Sequence, residues 1–335
     1  VGYLGKPHVG SDNLKKVVAN IRAYIQEHGG EFRFSEQLTD VRIRDGRLAE
    51  IVTTRGSEPC DELVLAVGHS ARDTFEMLLS RGFVIEQKEF AVGVRMEHLQ
   101  EKIGRAQYGA GYAALPPADY KLVSHASDRG VFTFCMCPGG VVIPAASEEG
   151  GVVTNGMSDF ARAGRNANSA LVVQVFRSDF GSEHPLAGVQ FQRKLERAAF
   201  AAAGGGYRAP VQLVGDFLAD KESYYFGEVR PTYAPGTAFV PMQAIFPRAV
   251  TDAMKAALPD MNARLSGIAA YESVLTGVES RTSSPVRIVR GPDLQAAGIA
   301  GIYPCGEGCG YAGGITSAAA DGIRVAEALA EKYAE

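Results

Sequence analysis

The stretch GIYPCGEGCGYAGGITSAAADGI, residues 301–323, decides how the whole chain is read. Within it Gly308-Cys309-Gly310-Tyr311-Ala312-Gly313 spells G-x-G-x-x-G, with an apolar run before it and an Ala-rich segment after it. The order predicts a strand, a glycine turn and a helix. Such a turn offers unpaired backbone N–H groups and the positive end of a helix dipole, which favour an anionic or electron-rich group. A complete dinucleotide fingerprint also needs a second strand ending in an acid about 20 residues on. Only 22 residues follow Gly313, too few to build one. The small residues Ala318, Ala319, Ala320 and Gly322 let the helix lie close to a sheet or a cofactor.

Working back to the front of the chain, Ser11 or Asp12 is expected to cap a helix carrying Leu14, Val17, Val18, Ile21 and Ile25 at helical spacing, ended by Gly29-Gly30. Phe32 and Phe34 alternate with polar residues as in a strand. VRIRDGRLAEIVTT reads as a hairpin turning at Asp45-Gly46. ELVLAVGHS reads as a strand buried on both faces, followed by a short helix around Asp73–Leu79. A helix, a meander and a buried strand suggest a mostly parallel sheet whose first βαβ unit is not visible. From about Phe90 the strand-like FAVGVRMEH and VFTFCMCPGGVVIPAA, and the helical FQRKLERAAFAAAG, look like an inserted domain.

The expected fold class is α/β: an incomplete dinucleotide-binding Rossmann-like domain with a β-meander, plus an inserted α+β domain. Its segments are 1–90, 91–274 as the inserted substrate or cap domain, and 275–335 as the returning segment. Glycine makes up 39 of 335 residues, roughly 12% against about 7% on average, so many backbone positions need positive φ or close approach. A net charge of −4 gives no reason to expect nucleic acid or an anionic membrane. No run of 18 apolar residues and no signal peptide is present, and five cysteines read as thiols of a cytoplasmic protein. Val1 opens a stretch that reads like mid-protein sequence, so a processed product or a piece of something longer is expected.

In two-domain flavoproteins the last strand–loop–helix faces the ribityl chain and isoalloxazine, and an acid following a glycine binds there. Gly306-Glu307 stands at that place. The strings KPHVGSDNL (6–14), LVLAVGHSARDTF (63–75), FAVGVRMEH (90–98) and FTFCMCPGGVV (132–142) carry a wider likeness. TNGMS (154–158), NANSALVV (166–173), GVESRTSSPVRI (277–288) and YPCGEGCGYAGGITSAAADGI (303–323) complete it. With them the chain resembles a family of FAD-dependent dehydrogenases related to the glutathione-reductase-like flavoproteins. The resemblance implies FAD bound in an N-terminal Rossmann unit, whose own fingerprint and ribose acid would precede this chain. Val67 stands where relatives carry threonine in Ala-Thr-Gly.

On that resemblance the cofactor-binding candidates are Ala66, Gly68, His69, Gly306, Glu307, Gly310, Tyr311, Ala312, Gly313, Gly314, Ile315 and Thr316. The bland alternative for both loops is close packing of strand ends. Arg281 and Arg287 are candidates for the flavin N1–C2=O region or a substrate carboxylate, or else pair with Glu272 or Glu279. Asn155 is a further flavin- or substrate-proximal candidate; both it and Asn166 could instead make Asx turns. Cys135 and Cys137 point to one face if the strand is regular, open to a redox or substrate-proximal role, to burial as structural thiols, or to zinc with Cys305 and Cys309. C-x-C and C-x3-C fit the usual zinc pairs poorly, and His8, His28, His69, His98, His125 and His184 form no close pair, so no metal is expected. The expected activity is that of an FAD-dependent oxidoreductase of unknown small-molecule substrate, with NAD(P)H a candidate electron donor and no catalytic base assignable. Its rivals are a non-catalytic nucleotide-binding or interaction protein and an RNA-modifying flavoenzyme.

Overall fold

The computed structural model describes residues 8–334. Val1–Pro7, on which the reading of the chain's opening rested, lie outside the described residues. Two compact units form. One takes the described residues up to Phe32 with Val92–Gln174 and Arg193–Ser280; the other takes Arg33–Ala91, Val175–Gln192 and Arg281 onward. Two of these cuts fall close to the 90/91 and 274/275 boundaries expected from sequence. The first helix and residues 175–192 are grouped otherwise.

The first unit is built on a seven-stranded sheet. Its strand order is Thr237–Phe239, Ala209–Leu213, Val274–Glu279, Phe90–Leu99, Asn166–Val175, Val131–Cys137 and Val123–Ser124. Phe90–Leu99 and Asn166–Val175 are buried almost throughout, so the polar residues they carry, among them Arg95, Glu97, His98, Asn166 and Asn168, are taken from water and need partners inside. The two backbones approach so closely that a Cβ on Gly93 would lie 2.0 Å from the Leu171 carbonyl oxygen. The helix Arg248–Arg264 buries Val250, Ala253, Met254, Ala257, Leu258 and Met261, one stripe at helical spacing.

The helix Ser11–Glu27 also belongs to this unit and differs from its expected form. Its N-cap is Gly10 at φ 82°, and neither Ser11 nor Asp12 caps it. Both tether it instead: Ser11 N–H donates to Ser158 O at 3.0 Å, and the Asp12 carboxylate accepts Phe160 N–H at 2.9 Å. A Cβ on Gly10 would lie 2.3 Å from Phe160 N, so only glycine permits that approach. Past this anchor the helix buries none of its residues, and Val17, Val18, Ile21, Tyr24 and Ile25 are exposed.

The second unit holds three small sheets. The meander Leu38–Arg44, Arg47–Thr53 and Gly56–Pro59 turns at Asp45 (φ 50°) and Gly46 (φ 72°), the positive pair a two-residue hairpin demands. Phe32 and Phe34 form no strand. Phe34 and Ser35 lie in a turn before the meander, Ser35 at φ 54°, so alternation alone misled. Ile85–Gln87 pairs antiparallel with Val286–Ile288. Leu63–Leu65 pairs parallel with Ile302–Pro304. The strand expected to be buried on both faces is therefore short, and Val64 is 40% exposed. The core joins Val41, Leu48, Leu65, Phe75, Leu78, Phe83, Val189, Val286, Ile288 and Ile302. Phe75 and Leu78 come from the helix Arg72–Ser80, and burying side chains of this size contributes about 1.5–3 kcal/mol each.

Candidate functional site

In the second unit, the parallel strands Leu63–Leu65 and Ile302–Pro304 both run into small-residue loops. The loops are clasped together: a Cβ on Gly308 would lie 2.3 Å from Gly68 O. Cys305 N–H donates to Leu65 O at 2.9 Å, and the Cys309 thiol donates to the same oxygen at 3.1 Å. Gly68, Gly306 and Gly310 hold φ of 71°, 75° and 89°, a region open to glycine at little cost. Across the clasp His69 Nδ1 and Glu307 Oε1 lie 2.6 Å apart.

Beneath this loop Asp321 accepts Gly306 N–H at 2.8 Å and forks with Arg290 at 2.6 and 3.0 Å. Burial pulls the Asp321 pKa upward, but Arg290 and the Gly306 N–H outweigh it and hold the carboxyl below its ordinary value. Arg290 also lies 3.7 Å from the Tyr311 ring centre, and the Tyr311 hydroxyl donates to Ile288 O at 2.9 Å. Tyr311 thus fastens the loop from below.

The other side of the loop is open. Neither Gly313 nor Gly314 has any atom within 4 Å of where a Cβ would stand, and Ile315 is 77% exposed. They introduce the helix Ile315–Ala334, whose first-turn N–H groups carry positive partial charge. Arg281 Nη1 donates to Ser70 Oγ at 2.8 Å, and Arg287 Nη2 to Gly310 O at 3.4 Å. Arg287 also lines a cleft of about 350 Å³ with Glu86, Gln87, Lys88, Glu89 and Arg177. Burial first, then repulsion from Arg287, lowers the Lys88 pKa against the attraction of Glu307. Ala66, Gly68, His69, Gly306–Thr316, Arg281 and Arg287 therefore belong to one unit.

Cys135, Cys137 and Asn155 belong to the other unit, around a residue that motif reading missed. Arg95 is fully buried at the middle of its strand. Its Nε and Nη2 each reach a Glu279 oxygen at 2.9 Å, a two-toothed fork. Its remaining hydrogens go to Cys135 O at 2.8 Å, Asn155 Oδ1 at 2.8 Å and Asn168 Oδ1 at 3.3 Å. Burial would lower the Arg95 pKa, but Glu279 more than compensates and raises it. The sequence signal was a lone arginine inside an apolar strand, since a charge there needs a partner.

Cys135 and Cys137 do not sit on a regular strand: the pairing register slips between Phe134 and Cys137 opposite Ala170 and Asn168, and Cys135 has φ 45°. A bulge, not plain alternation, aims their thiols. Glu279, offered as a partner for Arg281 or Arg287, forks with Arg95 instead, while Glu272 accepts Glu228 N–H at 2.9 Å. Asn166 makes no loop turn. It lies in a buried strand and donates to Glu97 Oε1 at 3.0 Å and Arg230 O at 2.8 Å.

Asn155 does accept the N–H of Gly156 at 2.7 Å while holding Arg95. Among the described residues no group of three or more His, Cys, Asp or Glu is placed to hold a metal. No described helix is long and apolar enough to cross a membrane.

Residues 89–282 match the family described as FAD-dependent protein, C-terminal domain-like. The chain belongs to this family. An uncharacterized protein of Clostridium beijerinckii is 49% identical over 337 residues, covering 99% of this chain. The chain spans 63% of that relative's length. The family match covers all seven strands of the large sheet and the Arg95 cluster, whereas the clasped loop at Gly306–Thr316 lies beyond it.

The clasped loop suits an FAD group chemically. It combines a carboxylate, a histidine, two arginines and an open glycine turn at a helix N-terminus, a set able to meet hydroxyls, a planar ring edge and negative charge.

Proposed function

We propose that the clasped loop is the flavin-facing part of an FAD site of the glutathione-reductase-like kind, and that the whole protein is an FAD-dependent oxidoreductase. The observation that carries this reading is the open turn Gly313-Gly314 at the start of a 20-residue helix, fixed to the Gly68 strand end, in a chain of an FAD-dependent family. FAD, when bound, supplies hydride acceptance and return. The chain's own residues bind and orient. Glu307 would accept hydrogen bonds from ribityl hydroxyls, with its orientation set by His69. Backbone N–H groups of Gly314, Ile315 and Thr316 would face electron-rich oxygens. Arg287, steadied by Gly310 O and the Tyr311 ring, would offset negative charge or fork a substrate carboxylate. NAD(P)H is the proposed electron donor.

The test is a titration of the purified chain with FAD, followed by removal of the excess. A retained absorbance band near ~450 nm, the signature of oxidised flavin, is expected. Glu307→Ala is expected to weaken retention about tenfold or more, the scale of one lost charged hydrogen bond. No saturable binding, or equal binding by Glu307→Ala, would overturn the site assignment. Anaerobic addition of NADH or NADPH is expected to bleach the band, and an unbleached band rejects that donor.

A further inference from the structure

We propose that Cys135 and Cys137 form a redox-active dithiol. Cys135 is the attacking sulfur, Cys137 the resolving one, and a low-molecular-weight disulfide is the oxidant. This reading is independent of flavin binding.

The first support is backbone geometry. Cys135 holds φ 45° at the register slip of its strand. A non-glycine residue in the left-handed region is uncommon, and such residues cluster where surrounding structure fixes them for a purpose. Here the fixing group is Arg95, whose Nη1 donates to the Cys135 carbonyl at 2.8 Å. The bulge leaves Cys135 exposed while Cys137 stays buried. An accessible sulfur beside a sheltered one is the arrangement that an attacking and a resolving thiol require.

The second support is the company the sulfurs keep. Cys137 Sγ donates to Cys135 O at 3.4 Å, which brings the second thiol against the residue that carries the first. The charged groups around Cys135 are Arg95, two strands away in the sheet, and Glu279 on the strand beyond it, with Cys137 on the same strand as Cys135. The guanidinium is held in place by its fork to Glu279 and its bond to Asn155. The hydrogen bond from Cys137, then Arg95, outweigh burial and Glu279, and bring the Cys135 thiol down to about 6. The same pairing and burial push Cys137 up. Asn168, opposite Cys137 in the register, is fully buried with an Nδ2 that has no partner among the described residues. A purely structural pair of core thiols does not explain the exposed sulfur at a positive-φ bulge.

The Cys135 thiolate attacks one sulfur of a disulfide RSSR; that S–S bond breaks, and RS⁻ leaves and takes a proton. Cys137 gives up its proton, and its sulfur attacks the Cys135 sulfur, expelling the second RS⁻, which is protonated in turn. Two protein thiols lose two electrons and become one intramolecular disulfide, while RSSR becomes two RSH.

The test uses the full chain with oxidised and reduced glutathione as the probe couple, read by intact mass after alkylation in denaturant. After oxidation the expected product has lost two hydrogens and keeps three of its five thiols alkylatable. Cys137→Ser is expected to stop at the mixed disulfide, gaining one glutathione on Cys135. Cys135→Ser is expected to do neither. In the reduced native chain Cys135 is expected to react with iodoacetamide at least about tenfold faster than the other thiols near pH ~7, as a thiolate in an electropositive setting does. That rate should fall as the pH drops through about 6. Uniform alkylation rates, or a Cys137→Ser variant that accumulates no mixed disulfide, would overturn the proposal. Because every readout is a mass, failure of flavin binding leaves the result interpretable.

Discussion

Removing the Arg95 guanidinium would leave Glu279 as a buried carboxylate without its counter-ion. Arg95→Met is therefore expected to cost about 3–5 kcal/mol in urea unfolding, because breaking one side of a buried pair strands the other charge. The double variant Arg95→Met/Glu279→Leu is expected to recover much of that loss, which a merely space-filling arginine would not allow. His98 makes a different kind of prediction. It lies buried between Ser273 Oγ at 3.0 Å and Tyr120 Oη at 2.9 Å, and burial lowers its pKa from 6.5 to about 3. The unfolded chain thus binds a proton at His98 that the folded chain refuses. Its stability contribution is whole above pH 6.5 and is lost progressively as pH falls towards about 3. Between about pH 7 and about pH 5 that loss is roughly 2 kcal/mol for one such group. His98→Gln is expected to flatten the slope by that amount even if it lowers stability throughout, and an unchanged slope would refute the assignment.

At the scale of elements, glycine decides how closely strands and loops approach. Gly308→Ala is expected to prise the Gly68 loop from the Gly306–Thr316 loop, since the new carbon would sit 2.3 Å from a carbonyl oxygen. Overpacking of this kind costs about 1–3 kcal/mol, measurable as a lower denaturation midpoint. FAD retention should fall further than the stability change alone explains. This clasp was partly legible beforehand: a strand, a glycine turn and a small-residue helix are written in residues 301–323, and so was the Asp45-Gly46 hairpin. The Cys135 bulge was not, because a strand's period of two carries no mark of where its partner skips a residue. Nor was the Arg95–Glu279 fork, which joins strands 184 residues apart and leaves no local spacing to read. The Ser11–Glu27 helix was legible as a helix, but its periodicity says nothing about what lies opposite its apolar stripe.

That stripe matters for the molecule as a whole. Val18 is 59% exposed and Ile21 55%, with Val17, Tyr24 and Ile25 beside them, and contiguous apolar surface of this kind draws partners or copies. Val18→Lys/Ile21→Lys is expected to reduce binding of a hydrophobic dye and any concentration-dependent association, with stability within about 0.5 kcal/mol of the parent. Unchanged dye binding would show that the stripe is not the sticky surface.

The second unit, meanwhile, is gathered from three separated stretches of chain, and His69 meets Glu307 across 238 residues. That spacing has a temporal meaning on the ribosome. At about 5–20 residues per second, Leu63–Leu65 emerges on the order of ten to fifty seconds before the strand that completes it. Through that interval the nascent chain holds out an unfinished edge, which closes only once Ile302–Pro304 has followed.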